Sequence, residues 1–208
     1  MSKDKTFWSN QPVIPVVVIN DAAKAVDLAR TLVAAGTKKI EITLRTPAAL
    51  DAISRISIEV PEALVGAGTV VDLQTATRAV EAGAKFIVSP GATKNLLNAL
   101  EGSGLPYLPG CSTLSEALEL IDHGVTTAKF FPAVESGGTA WLKAVSTVIP
   151  QLSFCPTGGI GLANYKEFLT LPNVACVGGS WIAPAKLIDE GNWEEIKKLA
   201  SHVNLENK

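Results

Sequence analysis

Histidine, cysteine and charge are all scarce in this chain of 208 residues. There are two histidines, His123 and His202, too few for the imidazole clusters that catalytic metal sites commonly use. The three cysteines, Cys111, Cys155 and Cys176, are an odd number at wide spacing with no C-x-x-C pair, which argues against both a disulfide framework and a zinc cluster. Charged residues make up 18% and the net charge is -2, so no basic field is available to grip a phosphate backbone, and nucleic acid is not expected as a partner. No segment approaches the ~18 uninterrupted apolar residues of a membrane helix. The opening "MSKDKTFWSNQPVIPVVVIN" lacks a signal-peptide core ending in small residues. The expectation is a cytoplasmic protein with reduced thiols, no membrane partner and a small-molecule ligand.

What is abundant is apolar residues, 47% of the chain, arranged as short β-branched runs with helical stretches between them. "VIPVVVIN" (13 to 20) is followed by "DAAKAVDLARTLVAAG", in which Asp21 can cap a helix and Gly36 can stop it. The grammar repeats through "KKIEITLR", "ALVGAGT", "KFIVSPG", "LPYLPG", "TTAKFFPA", "LSFCPTGG" and "VACVGGS". Eight strands at intervals of roughly 20 to 27 residues, each with room for a following helix, predict a parallel sheet. An open doubly wound sheet would favour a glycine-rich fingerprint after the first strand, where Asn20 and Asp21 stand instead. The fold expected is therefore an α/β, (β/α)8 TIM barrel in a single domain over 1–208. Residues 1–11 form an N-terminal extension with a short helix capping the floor, and 12–203 form the barrel. The chain is compact beside the ~250 residues usual for such barrels, so its loops must be short. "NWEEIKKLASHVNLENK" reads as a final helix with a frayed end.

Polar residues inside apolar strands mark the site. Strand side chains alternate, so in "KIEITLR" Ile40, Ile42 and Leu44 share one face, and Glu41, Thr43 and Arg45 share the other. In "TTAKFFPA", Lys129 shares a face with Thr127 and Phe131. With the apolar faces on the helices, Glu41, Arg45 and Lys129 meet in the lumen or at its upper rim, where barrels keep their chemistry. The bland alternative is a buried charge cluster that only fills space. Ions cost several kcal/mol each to bury and apolar replacement is often neutral, so stability alone is a poor reason to keep them. "PTGGI" (156 to 160) and "GGSWIAP" (178 to 184) put paired glycines after the seventh and eighth strands, where barrels often bind phosphate, although Gly-Gly can simply make a tight turn.

"EITLRT", "VGAGTV", "SPG", the "PG" and "ST" of 109 to 113, "KFFPA", "CPTGGI" and "GGSW", in that order, resemble the bacterial 2-keto-3-deoxy-6-phosphogluconate (KDPG) aldolases, also known with 2-keto-4-hydroxyglutarate (KHG) activity. The resemblance runs from about residue 12 to about residue 200. It implies a class I aldolase, usually a homotrimer, that cleaves KDPG to pyruvate and glyceraldehyde 3-phosphate and often KHG to pyruvate and glyoxylate. No metal or cofactor is implied, only a covalent imine on Lys129. Carried over, Glu41 is the acid/base and Arg45 a carboxylate ligand. Thr69, Pro90 and Thr157 contact or line the substrate, and Gly158, Gly159, Gly179 and Ser180 form the phosphate site. Cys111 departs from the aliphatic residue often found after "PG". The residue types suit the reaction independently of the name, because a protonated imine accepts the electrons of a breaking carbon–carbon bond and desolvation favours the neutral amine that forms it. A non-catalytic phosphoryl-binding barrel, a phosphosugar isomerase and the galactonate-epimer aldolase are the alternatives.

Overall fold

The computed structural model of the chain describes residues 5–205. Residues 1–4 of the expected extension and the expected frayed end at 206–208 lie outside the described residues. A short helix α1 (Lys5–Ser9) leads into strand β1 (Val13–Val17). Alternation then follows: α2 (Ala25–Ala34), β2 (Lys39–Thr43), α3 (Ala49–Glu59), β3 (Leu64–Gly68), α4 (Leu73–Glu81), β4 (Ile87–Val88) and α5 (Lys94–Glu101). The second part carries β5 (Tyr107–Leu108), β6 (Gly110–Cys111), α6 (Leu114–Asp122), β7 (Thr127–Phe130), α7 (Gly138–Val148), β8 (Ser153–Pro156), α8 (Tyr165–Leu169), β9 (Val177–Gly179), α9 (Ala185–Glu190) and α10 (Trp193–Leu205). The expected start and stop of the first helix are present in a modified form. Asp21 accepts from the Ala23 N–H to cap a 3-10 turn, Ala22–Lys24, that runs into α2, and Gly36 takes a left-handed φ of 87° after it.

Every strand pair is parallel, as the alternating pattern predicts. The ladders form two sheets, β5-β4-β3-β2-β1-β9 and β6-β7-β8, rather than the one eight-stranded ring expected. The cause on one side is Pro109. It has no N–H, so "LPYLPG" is cut into β5 and β6. The chain changes sheet there, with Leu108 O accepting from Ser89 N at 3.2 Å and Pro109 O accepting from Lys129 N at 2.8 Å. On the other side, among the described residues, the isolated bridges Phe154 to Val174 and Thr157 to Gly178 connect β8 and the residue after it with β9 and the segment before it.

The apolar residues divide as alternation requires. Ile40, Ile42, Val65, Ala67, Ala128 and Phe130 pack into the large core beneath the helices. A smaller cluster, Trp8, Ile14, Phe86, Val88, Leu108, Cys155 and Cys176, fills the space between the strands. Trp8, brought there by α1, meets the Phe86 ring edge-to-face at 5.6 Å, so the short N-terminal helix packs against this inner cluster. Gln11 fastens this plug. Its amide donates to Val13 O and Lys39 O at 3.0 and 2.9 Å and accepts from Lys38 N and Lys39 N at 3.0 and 2.8 Å.

Candidate active site

Parallel strands aim their carboxyl ends to one side, and a cavity of about 330 Å³, large enough for a small metabolite, lies there. Its wall is built from strand ends and the residues just beyond them: Glu41 and Thr43 from β2, Lys129 from β7 with Phe131 after it, and Thr157 after β8.

Lys129 and Glu41 stand 88 positions apart in sequence, and the fold brings Lys129 Nζ to donate to Glu41 Oε1 at 3.4 Å. Both are buried, at 5% and 3% exposure. Phe131 places its ring 5.4 Å from the ammonium, and Phe130, on the opposite face of the strand, is stacked on Trp141 at 4.3 Å. The lysine is therefore screened from water on the helix side and open only to the cavity. A buried ion pair of this kind contributes little net stability, but each partner is costly to leave alone.

Arg45 lies in the turn after β2, exposed, and lines the same cavity at its rim. Pro90 and Thr69 line it as well. Thr69 has a left-handed φ of 61°, the only such non-glycine among the described residues, a costly conformation that tends to occur at functional sites. Thr157, Gly158, Gly159 and Ser180 complete the group brought together. Gly179 is not part of the wall. Gly178 lines the cavity in its place, and a side chain at Gly179 would run into the Trp181 ring, because alternate residues of β9 face opposite ways.

Several residues of the site were not singled out from sequence. Val16, Thr43, Phe131, Gly178 and Ile160 also line the cavity, and for Thr43 and Phe131 the signal was period-2 alternation with Glu41 and Lys129. Lys39 is a further buried charge, outside the cavity lining. It sits two residues before Glu41 on β2, only 2% exposed, and hydrogen-bonds Asn10 Oδ1 with its ammonium 5.1 Å from the Phe7 ring. Burial pulls its pKa below the usual lysine value. Cys176 beside it has a thiol raised well above the ordinary range, first by a hydrogen bond with Cys155 and then by burial, which makes a nucleophilic role unfavourable. All three cysteines are free and buried. Among the described residues no group of three or more His, Cys, Asp and Glu side chains is placed to hold a metal ion, and no helix is long and apolar enough to cross a membrane.

A parallel α/β fold that presents a buried lysine paired with a carboxylate, in a cavity at the carboxyl ends of its strands, defines the class of lysine-bearing aldolase-type proteins. The chain belongs to the KDPG and KHG aldolase family, whose sequence model matches residues 5–199. It is 49% identical over 196 residues to the 2-dehydro-3-deoxy-phosphogluconate aldolase of Pseudoalteromonas atlantica, covering 94% of this chain and 91% of that one. It is 48% identical to the KHG/KDPG aldolase of Escherichia coli K12, covering 94% and 92%. Among solved structures, KDPG aldolase from Legionella pneumophila, with pyruvate captured at low pH as a covalent carbinolamine intermediate, superposes with a TM-score of 0.93 at 46% identity, covering 96% of this chain and 97% of that one. The resemblance read from the motifs is thereby borne out.

Proposed function

We propose that the protein is a class I aldolase that cleaves KDPG to pyruvate and D-glyceraldehyde 3-phosphate, with KHG cleavage to pyruvate and glyoxylate as a second activity. The observation that carries this reading is the 3.4 Å contact between the buried Lys129 amine and the Glu41 carboxylate inside the cavity. Lys129 attacks the C2 ketone to form a carbinolamine, and Glu41 moves the protons that let water leave and the imine form. Glu41 then takes the C4 hydroxyl proton as the C3–C4 bond breaks. The aldehyde departs, and the electron pair is held as an enamine. A proton returned to C3 gives the pyruvyl imine, which water hydrolyses to pyruvate and free Lys129.

Arg45 grips the substrate carboxylate at the cavity rim in a bidentate fork, keeping the ketone within reach of the amine. Thr69 and Thr157 offer hydroxyls to the substrate and Pro90 shapes the wall. The backbone N–H groups of Gly158 and Gly159, with the Ser180 hydroxyl, receive the phosphate, and Gly178 takes the place expected of Gly179 on that wall. No metal takes part.

The same reading takes the chain as one domain, a closed (β/α)8 barrel. Supporting it are the change of sheet at Pro109 and the bridge from Thr157 to Gly178, which join the two sheets at both edges. A homotrimer in the cytoplasm completes the proposal. Val71 and Leu73, 55% and 58% exposed near the start of α4, offer apolar surface for assembly, and three unpaired thiols suit a reducing compartment.

Trapping with pyruvate and borohydride, followed by peptide mass analysis, tests the chemistry. A reduced pyruvyl adduct is expected on the peptide that contains Lys129 and absent from Lys129→Arg, which keeps the charge but cannot form the imine. An unlabelled Lys129 peptide removes the mechanism. Comparing kcat/KM on KDPG, its galactonate epimer and KHG assigns the preferred substrate.

A further inference from the structure

Beyond Leu64 at its start, the inner face of β3 is bare. Val65 and Ala67 point into the core beneath the helices, while the alternate positions, 66 and 68, are both glycine. Neighbouring strands fill the space left. A Cβ built on Gly66 would fall 2.3 Å from the Phe86 ring of the adjacent β4 side. One built on Gly68 would fall 2.1 Å from Glu41 Oε1 and 2.6 Å from both Glu41 Cδ and Cγ. The Glu41 side chain therefore lies across the bare backbone of Gly68, and the oxygen resting there, Oε1, is the one that faces Lys129 Nζ.

We infer that Gly68 is a positioning residue for the aldol reaction: the missing side chain is the slot that holds the Glu41 carboxylate against the Lys129 amine. The backbone does not demand glycine at this position, since Gly68 is not among the residues with positive φ and sits in a regular parallel ladder opposite Thr43. What demands it is the space the carboxylate occupies. A methyl group there collides with the end of a flexible side chain, which can swing into the cavity, so the fold survives while the carboxylate loses its place. Gly66 is the contrast. A methyl there meets a ring hemmed in by Phe7 and Trp8, at centroid distances of 6.0 and 5.6 Å, and acts on packing rather than on the reacting groups.

The inference rests on the reading of Glu41 as the acid/base, and a double-mutant cycle separates the two. Gly68→Ala is expected to stay folded with a lowered melting temperature, because it parts a buried ion pair, to keep its borohydride-trapped adduct on Lys129, and to lose ~10²-fold in kcat with little change in KM, the scale of a displaced acid/base group. In a Glu41→Gln background the same substitution should cost almost nothing further, because the group it displaces no longer works. A slow Glu41→Gln combined with a Gly68→Ala of parental turnover, or a double variant in which the two losses multiply, overturns the positioning role and leaves the role of Glu41 standing. Full turnover in Glu41→Gln removes the acid/base reading, and the inference with it. Should Gly68→Ala fail to fold, the same substitution combined with Glu41→Ala and Lys129→Met, which together leave no buried charge unpaired, decides: recovered folding supports the slot, and continued failure places the collision elsewhere and sinks it.

Discussion

Taking the charges of Lys129 and Glu41 out of water costs several kcal/mol apiece, and their mutual attraction returns only part of that, so the pair weakens the case for a purely structural role. Arg45 differs because it stays exposed at the cavity rim and loses little solvation until substrate arrives. Its value lies in geometry, since a guanidinium offers two parallel donors to a carboxylate where an ammonium offers a point charge. Arg45→Lys should raise KM about tenfold, the scale of one charge-assisted hydrogen bond, while the Lys129 adduct still forms at saturating pyruvate. Steady-state kinetics beside trapping would check this, and an unchanged KM would separate Arg45 from the substrate carboxylate. Glu41, Lys129 and Arg45 were all visible in the sequence as charges interrupting apolar strands. Lys39 follows the same rule but adjoins Lys38 at the strand start, where a charge is ordinary in sequence, and its burial comes from the covering by α1.

Helix starts set the loops around the cavity. Thr113 accepts from Glu116 N at 3.3 Å, and Glu116 in return accepts from the N–H groups of Ser112 and Thr113 at 2.8 and 2.9 Å, a reciprocal cap that ties β6 to α6. Thr113→Ala should cost about 1 kcal/mol in denaturant unfolding with kcat unaffected, because α6 bears no cavity residue. These N–H donors, Ser112 first, hold the Glu116 carboxyl below its usual range. Its contribution to stability is therefore present above the ordinary glutamate pKa and lost as pH falls through the lowered value. Element positions were legible from runs and caps. Strand continuity was not: "LPYLPG" has the composition of one strand, and its division at Pro109 follows from a missing donor that matters only once neighbouring strands need it.

Across the whole molecule, burial shapes the response to alkali. Burial pushes Tyr107 up to about 12, its hydrogen bond with Ser89 opposing, and burial first and the Glu116 charge second push Cys111 up to about 12. Both groups bind their protons more tightly when folded. The stability they contribute is complete below their unfolded pKa values, about 9 to 10, and drains away as pH climbs toward 12. Melting temperature should fall over that window, and Cys111→Ala should flatten the decline; a decline of equal steepness in the variant would exclude the thiol as its source. The recurrence of strand and helix runs, the period-2 alternation within strands and the glycine pairs after them determined the parallel α/β class, the inward faces of β2 and β7 and the lysine, carboxylate and glycine candidates, because those depend on local preference and the geometry of an extended chain. Only the tertiary structure decided that Glu41 and Lys129 lie within 3.4 Å, that Gly178 rather than Gly179 faces the cavity, and that the bare backbone of Gly68 on β3 lodges a carboxylate from β2. Such contacts join residues far apart in the chain, and their distances are set by how neighbouring strands register and fill a shared space, which no single strand encodes.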